Sequence, residues 1–382
     1  VILLKIFFYE ILSMKIFVLA FISIIFSFST LAEVNKQLVK RMMKRDLNSM
    51  EGKGPTPVAF FENKNPYQTE LGQKINLDKF FKAPSNFSAV AMKDGKIVYE
   101  RYNEKLKANS DFYPHGMSLT KTAVGLTVGH LLCSGEIKSL DDTASTYSPS
   151  LKNSIYKDIT IRNLLRMSSG VNENRNNEKK FNHIMMNRQN DGSNDLVKVI
   201  QKIKTKFSEQ GKKSRYHSFD ITATSILINE ITQKSVAQVF FENVFPKIKP
   251  EGSLYWLEDK NKMSLGMAGM FMKTRDWANM SNYMNKEINS KSCIGNYLLD
   301  GIKNALPTSL RKYLRYGYYF WISEISGKPV IVLTGKGGQI AVPNHYNNSV
   351  ITLISVSKGF KYKGKKIIQE IIPAATMQLG NF

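Results

Sequence analysis

A serine and a lysine stand three positions apart at the start of a long apolar segment, in Ser118-Leu-Thr-Lys121. Side chains at positions i and i+3 share one face of a helix, so this hydroxyl and this amine can meet. Burial disfavours the charged form of an amine, which would let Lys121 take the proton of Ser118. Free backbone N–H groups at the start of a helix favour a developing oxyanion. The pair therefore predicts a nucleophilic serine with a lysine as its base.

The Ser-x-x-Lys spacing alone is weak, because it recurs at Ser154, Ser309 and Ser355. Ser154 lies in a polar loop, Ser309 in a basic stretch, and Ser355 ends a predicted strand. The segment from Ser118 to Cys133 is different, since its apolar residues point almost all round a helix, as in a helix buried within a domain. A plain N-cap serine is the alternative interpretation of Ser118.

A second candidate segment is Leu333-Thr-Gly-Lys-Gly-Gly-Gln339, which follows a β-branched run. Glycines such as Gly338 let a substrate pack against the backbone of a strand. The N–H of Gln339 can then serve as the second oxyanion donor. Lys336 adds positive charge, which favours the phenolate form of a nearby tyrosine and draws anionic substrates. A glycine-rich hairpin turn is the alternative.

The elements that must position these residues follow from the pattern along the chain. Two β-rich runs around Asp94-Gly95 predict a hairpin. Helical patterns with many loops fill the middle of the chain, and a last helix is expected near 365–376. Between them come three strand-like runs with short connections, which predict an antiparallel meander at 316–323, 330–334 and 350–356.

The fold class expected is α/β, of the α+β kind. A five-stranded antiparallel sheet would draw its strands from both ends of the chain and be flanked by helices. A mostly helical lobe would span about 140–310. A cleft between the sheet and this lobe is a natural place for a site.

Taken together, these segments resemble the β-lactamases and penicillin-binding proteins, which combine Ser-x-x-Lys on a buried helix with Lys-Thr-Gly on a late strand. The likeness is greatest to class C β-lactamases, related esterases and the 6-aminohexanoate-dimer hydrolases, and it covers roughly residues 80–375. The late motif is most similar to the dimer-hydrolase form. The further segments that carry the likeness are 94–102, 117–122, 135–142, 160–170 and 274–277.

The resemblance implies a catalytic tyrosine, usually in Tyr-x-Asn, whose phenol relays a proton to the leaving group. Tyr216 fits in order and position, and it lies just before a predicted helix. Ser218 stands where asparagine is usual, which counts against β-lactam turnover. Literal Tyr-x-Asn occurs at Tyr283 and Tyr346, but one lies within a predicted helix and the other follows the late motif. A core tyrosine is the alternative for Tyr216.

His217 leaves a Ser-His arrangement as a weaker alternative, since no acid partner at triad spacing is evident. His115 is expected to line the cleft, whereas Trp256 and Trp321 are expected to be packing residues. The five histidines are scattered. The sequence contains no His-Glu-x-x-His and no Cys-x-x-Cys, so it proposes no metal site and no cofactor.

The first 32 residues have the pattern of a secretory signal peptide. Met14 and a lysine precede an apolar run over 16–28, and small residues follow it. Met14 is the expected true start, and an uncleaved anchor helix is the alternative. Residues 33–76 would form an N-terminal extension, and 77–382 the hydrolase domain.

The net charge of +23 makes the chain strongly basic. A nucleic-acid partner is not expected, because no long Arg/Lys run occurs and export argues against it. The preferred interpretation of this charge is a lysine-rich surface that keeps the protein soluble. The more specific alternative is contact with anionic polymers of the cell envelope. Export permits a disulfide, but Cys133 and Cys293 are distant in sequence and are expected to be separate thiols. The oligomeric state stays open.

The expected function is that of an exported, periplasmic serine hydrolase. It would cleave an amide or ester in a small-molecule or peptide-like substrate through an acyl-enzyme on Ser118. One alternative is a peptidoglycan D-amino-acid carboxypeptidase or β-lactamase-type enzyme. Another is a non-catalytic envelope-binding protein that uses its basic surface.

Overall fold

The computed structural model describes Val34 and residues 58–172, 195–358 and 364–380. The expected signal peptide, with Met14, lies outside the described residues, as does most of the N-terminal extension up to residue 57. Within the part that is described, no helix is both long and apolar enough to cross a bilayer.

The strands of the described chain follow in sequence order. They are β1 (Val58–Phe61), β2 (Asn86–Lys93), β3 (Lys96–Tyr102), β4 (Leu254–Leu257), β5 (Met270–Phe271), β6 (Leu306–Pro307), β7 (Arg315–Tyr316), β8 (Trp321–Ile325), β9 (Lys328–Gly335), β10 (Gln339–Asn344) and β11 (Ser349–Ser355).

The α-helices are α1 (Asp78–Phe81), α2 (Thr120–Ser134), α3 (Pro149–Lys152), α4 (Ile161–Leu165), α5 (Leu196–Gln201), α6 (Phe219–Thr232), α7 (Val236–Asn243), α8 (Thr274–Asn289), α9 (Cys293–Lys303) and α10 (Ile372–Met377). Short 3₁₀ turns include Met117–Leu119, just before α2, and Phe245–Ile248. A π-helical turn, Ile367–Ile371, leads into α10.

The main sheet is antiparallel and has the strand order β3-β2-β11-β10-β9-β8-β7-β6. Both ends of the chain supply strands, which confirms the expected fold class. The sheet has eight strands rather than five. The pattern missed β10, which follows three turn residues and carries Pro343, and the predicted run 316–323 divides into β7 and β8.

Helix α2 lies inside the domain, as its unbroken apolar surface predicts. It packs against α6, α7 and α9, and the phenol of Tyr297 on α9 donates to the carbonyl of Gly125 at 2.8 Å. The helix ends at Gly135, whose φ of +87° is the left-handed conformation expected of a C-cap glycine. The nucleophile candidate therefore heads a helix that is held along its length.

Helices α3 to α9 lie in the described part of the stretch from 140 to 310, where a helical lobe is expected, with loops and the short strands β4, β5 and β6 between them. A separate small sheet of order β1-β4-β5 lies within this part of the fold. Helix α8 covers one face of the main sheet, where it contacts β2, β10 and β11. Its Ala278 packs there with Val90, Met92 and Val350.

The two cysteines form a disulfide between the end of α2 and the start of α9, with Cα atoms 5.9 Å apart. The expectation that Cys133 and Cys293 are separate thiols is wrong. A separation of 160 residues along the chain says nothing about distance in space once two helices pack side by side. In the fold, the two helix ends meet.

Candidate active site

Ser118 lies in the 3₁₀ turn that leads into α2, and Lys121 lies in the first turn of that helix. The Nζ atom of Lys121 donates a hydrogen bond to Ser118 Oγ at 3.0 Å and another to the carbonyl of Met267. Lys121 is only 3% exposed. The N-cap of α2 is Leu119, which has no side-chain cap bond. The Ser118 hydroxyl therefore faces the amine and does not act as the cap of this helix.

The backbone before the nucleophile is unusual. Met117 has a φ of +52°, a conformation that costs a non-glycine residue energy and is often found at active sites. Gly116 is needed beside it, because a Cβ there would lie 2.1 Å from the indole ring of Trp277. The turn that presents Ser118 is thus set by close packing against α8.

A segment that the sequence interpretation missed runs beside this turn. Besides the Met267 carbonyl, which binds Lys121, the carbonyl of Ala268 pairs with His115 Nε2. Met270 N donates to Thr120 Oγ1 at 3.1 Å, and Met270 O accepts from Gly116 N at 3.0 Å. These contacts use backbone atoms, which residue types do not reveal. His115 itself is buried and stacks on Phe271.

Tyr216 lies next to the Ser-Lys pair. The centre of its ring is 5.1 Å from Lys121 Nζ. The ring stacks on the indole of Trp321, with centroids 5.2 Å apart, and meets Tyr316 edge-on at 5.6 Å. Trp321 is a packing residue, as expected, but what it packs is the candidate catalytic tyrosine. The structure thus brings together the three residues expected to be catalytic.

His217 points into the interior beside Tyr216. Its Nε2 atom lies 3.3 Å from Asp220 Oδ2, and its Nδ1 atom accepts from Phe219 N at 3.2 Å. Asp220 also accepts from Ser169 Oγ and from Tyr156 Oη. An acid partner for His217 therefore exists, but the pair holds the turn that carries Tyr216. Both ring nitrogens have partners within that turn and α6, so the geometry does not favour His217 as a base for Ser118.

Ser218, which stands where the resembled proteins carry asparagine, is the N-cap residue of α6 and makes no side-chain cap bond. It is 6% exposed. Its carbonyl accepts from Thr222 N at 3.2 Å and from Thr222 Oγ1 at 2.8 Å. Ser218 therefore joins Tyr216 to the start of α6. Among the described residues Ser218 makes no hydrogen bond to Lys121, whose backbone partner is the Met267 carbonyl.

The late glycine motif forms the turn between β9 and β10, over residues 336–338. Gly335 abuts the nucleophile turn so closely that a Cβ there would lie 2.7 Å from Gly116 O and 3.0 Å from Met117 Cβ. Gln339 pairs with Gly335 across the hairpin. The motif and the Ser-Lys pair therefore meet at one end of the sheet, as the sequence predicts.

The individual residues of this turn differ in their surroundings. Gly338 has a φ of +102°, which favours glycine. Lys336 is exposed to solvent. Gln339 is fully buried, and its side-chain amide has no hydrogen-bond partner among the described residues. A buried, unsatisfied amide is costly, and it adds a polar group to the sheet end that faces the nucleophile turn.

Arg311 is a charged residue near the site that the sequence interpretation did not single out. Its guanidinium lies 4.7 Å from the Trp321 ring centre, and its Nη1 donates to Thr334 Oγ1 at 2.8 Å. Burial lowers the pKa of Arg311, and the neighbouring phenols of Tyr313 and Tyr216 oppose that shift. In the sequence, Ser309–Lys312 resembles a basic surface segment. The packing of Arg311 on Trp321 is not visible there, because the two residues are brought together only by the fold.

No cluster of three or more His, Cys, Asp or Glu side chains suited to a metal ion occurs in residues 58–172, 195–358 or 364–380. The polar groups assembled at the site are instead a hydroxyl, an amine, a phenol and a guanidinium. With this constellation the chain can perform acyl transfer, in which a serine attacks a carbonyl carbon and a nearby amine moves the proton.

Comparison with solved structures shows the same fold in several hydrolases. A protein described as a 6-aminohexanoate-dimer hydrolase from Bacillus anthracis is similar with a TM-score of 0.71 and 19% identity, over 87% of this chain and 92% of that one. A penicillin-binding protein from Bacillus halodurans has a TM-score of 0.59 and 13% identity, over 79% and 97%. The D-amino acid amidase of Ochrobactrum anthropi SV3 has a TM-score of 0.59 and 14% identity, over 76% and 92%.

No curated protein sequence matches the chain significantly. The family model described as beta-lactamase matches residues 78–360, which is well over half of the chain. These residues include the Ser-x-x-Lys pair, Tyr216 and the β9–β10 turn. The chain therefore belongs to the β-lactamase family, whose members are serine hydrolases.

Proposed function

We propose that this protein hydrolyses a small amide or ester through an acyl-enzyme on Ser118. The observation that carries the proposal is the hydrogen bond of 3.0 Å from Lys121 Nζ to Ser118 Oγ, at a point where Tyr216 and the β9–β10 turn converge. The fold similarity to a described 6-aminohexanoate-dimer hydrolase and to a D-amino acid amidase supports the choice of substrate class.

The reaction begins when Ser118 Oγ attacks the carbonyl carbon and its proton passes to Lys121. The N–H groups of Ser118 and Gln339 stabilise the oxyanion. Tyr216 then donates a proton to the departing nitrogen or oxygen as its bond to the carbonyl carbon breaks. The proton on Lys121 passes to Tyr216, which restores the neutral amine. Water then attacks the acyl carbon and its proton passes through the Lys121–Tyr216 pair to Ser118 Oγ as the bond from Oγ to the acyl carbon breaks, so that the acid product and free Ser118 are released.

One feature favours amides and esters over β-lactams, namely that Ser218 replaces the asparagine that is usual in the related motif. A peptidoglycan carboxypeptidase remains the alternative, and it differs in a measurable way, because such an enzyme forms a stable adduct with penicillin-type probes.

We also propose that the protein is exported to an oxidising compartment. Disulfides persist in such compartments and are rare where thiols are kept reduced. The Cys133–Cys293 bridge and the signal-like sequence before residue 33 support this location. Mass spectrometry of protein from fractionated cells tests it: periplasmic material should begin after the signal-like segment and retain the bridge.

The acyl-enzyme is tested by intact-mass measurement after exposure to a fluorophosphonate and to a panel of esters, amides and penicillins. The wild type should gain one adduct, Ser118→Ala none, and Lys121→Met far less than the wild type. Ser154→Ala is the matched control, since it removes a serine from another Ser-x-x-Lys. The Ser154 hydroxyl bonds to backbone atoms, donating to the carbonyl of Leu151 and accepting from Tyr156 N. Labelling that persists in Ser118→Ala would identify a different nucleophile.

A further inference from the structure

A lysine-rich pocket lies where the tip of the β2–β3 hairpin meets α8. Its charged lining residues are Lys247, Lys249 and Lys286, and Tyr67 and Asn282 also contribute to its wall. None of these residues belongs to the Ser118 site. The pocket is thus separate from the hydrolase machinery.

The lysines of the pocket lie on elements whose positions are set by the fold. Lys249 follows the 3₁₀ turn Phe245–Ile248, and its Nζ lies 4.9 Å from the ring centre of Tyr67. Lys286 lies one helical turn after Asn282 on α8, so both side chains share a face. Both reach the hairpin tip: a Cβ on Gly95 would lie 3.4 Å from Asn282 Nδ2 and 3.8 Å from Lys286 Nζ.

The pocket carries positive charge that nearby carboxylates do not neutralise. No carboxylate lines it, and none of its three lysines forms an ion pair within the described residues. The acids next to lining residues in the chain have partners elsewhere: Asp94 lies 3.8 Å from Lys93, and Glu287 accepts from Ser292 Oγ. Glu70 pairs with Lys96 at 3.0 Å, and Glu251 with Arg275 at 3.3 Å. Three like charges around one pocket make its local potential positive, and an anion bound there would be attracted by all three.

Asn282 is a polar side chain at the pocket without a protein partner. It is only 9% exposed, and its side chain makes no hydrogen bond with any residue that the structure describes. Its amide atoms are not among the fully buried polar atoms that lack a partner, so the amide is open to a ligand or to solvent in the pocket. Its neighbour Asn279 differs, because it donates to Thr69 Oγ1 at 2.9 Å and to Lys249 O at 3.1 Å. Asn279 therefore holds the wall, while Asn282 is left to face the pocket.

We propose that this pocket binds a single phosphate-type oxyanion. Lysines act as point charges for such a group, and the Asn282 amide adds a directional donor. The same chemistry is offered by free inorganic phosphate and by the phosphodiester units of an anionic polymer in the cell envelope. The proposal is independent of the hydrolase reaction, since it uses different residues.

The test is calorimetric titration of the full-length protein with inorganic phosphate and, separately, with a short poly(glycerol phosphate). Lys249→Gln/Lys286→Gln should weaken binding by at least about tenfold, because the double variant loses two charge-assisted contacts to the anion. Lys152→Gln/Lys157→Gln is the matched control: it removes the same charge from exposed lysines outside the pocket and should leave binding unchanged. Asn282→Ala removes no charge and should still weaken binding several-fold.

Tighter binding of the polymer than of phosphate at equal phosphorus concentration would assign the polymer as the source, and equal binding would assign the free ion. Equal weakening in the pocket and control variants would overturn the proposal in favour of a diffuse basic surface. The absence of saturable binding of either probe would overturn it as well. Acylation of Ser118 should be unaffected in every variant, so failure here leaves the hydrolase proposal intact.

Discussion

The phenol ring of Tyr216 stacks on the indole ring of Trp321, with centroids 5.2 Å apart and planes inclined by 28°. Trp321 belongs to β8 and Tyr216 to the turn before α6, so this contact joins the sheet to the helical lobe. Lys121 contacts the same phenol ring. The position of the candidate proton relay relative to the nucleophile is therefore set by packing between the two parts of the fold.

Replacement of Tyr216 by phenylalanine keeps this ring and removes only its hydroxyl. We expect the rate of acylation to fall by about 10²- to 10⁴-fold, the usual range for loss of a general acid–base group, while the melting temperature stays close to that of the wild type. Stopped-flow measurement with a chromogenic ester checks the rate. Tyr316→Phe is the control, because Tyr316 packs edge-on against the same two rings; an equal loss in both variants would argue for a structural effect.

Substitution of Arg311 and of Lys336 tests which of these two cations supports catalysis. Lys336 is the residue expected from sequence, but it is exposed on the turn, where solvent and salt screen its charge. Arg311 stacks on Trp321 and binds Thr334. We expect Arg311→Met to lower kcat/KM by about 10- to 100-fold, as for loss of a charged hydrogen bond, and Arg311→Lys to restore part of it. A larger effect from Lys336→Met than from Arg311→Met would reverse this assignment.

The disulfide should contribute to stability because it closes a loop over a sequence separation of 160 residues. We expect Cys133→Ser/Cys293→Ser to lose about 2–5 kcal/mol of unfolding free energy, the range for removal of a native bridge, as measured by urea denaturation. Alkylation of the denatured wild type without reductant should add no label, and after reduction it should add one to each cysteine. Labelling before reduction would show that the bridge is absent.

Asp276 should make stability depend on pH. Its carboxylate is fully buried and accepts from Glu251 N and Gly252 N, and burial raises its pKa from 3.8 to about 7 despite these hydrogen bonds. The folded state then holds the proton more tightly than the unfolded state. The free energy of unfolding that this shift contributes is complete below the pKa of Asp276 in the unfolded state. It is lost as the pH rises through about 7, the pKa in the folded state.

Urea unfolding of the wild type and Asp276→Asn across this pH window measures the effect. The free energy of unfolding of the wild type should fall relative to that of the variant, which has no carboxyl to titrate. Glu258→Gln offers a second carboxyl to compare, since burial also raises the pKa of Glu258 to about 7 and the same direction is expected. A difference that does not change with pH would refute this account.

The sequence alone was enough to predict the parts of the site that depend on local periodicity. Ser118 and Lys121 were identified because their spacing coincides with the start of an apolar helix, and both properties are local. The β2–β3 hairpin and the strands β9 and β11 were predicted for the same reason, since their alternation and turn residues lie close together in the chain. Tyr216 required the resemblance to a family, because nothing local distinguishes it from a core tyrosine.

The features that the pattern missed depend on contacts between distant residues. In the sequence, Arg311 belongs to a basic stretch, and only the fold places Trp321 and Thr334 beside it. Met267 acts through its carbonyl, and any residue type has one. Cys133 and Cys293 are neighbours only because α2 and α9 pack together. Strand β10 was overlooked because its own sequence carries Pro343 and its pairing with β9 and β11 is what makes it a strand.

The bridge between the end of α2 and the start of α9 encloses nearly all of the helical lobe within one covalent ring. A protease that cuts one peptide bond anywhere between residues 134 and 292 would therefore nick the chain without releasing a fragment. The two pieces would migrate as one species on a gel until a reductant is added, and the half that carries Ser118 would stay tethered to the half that carries Gln339.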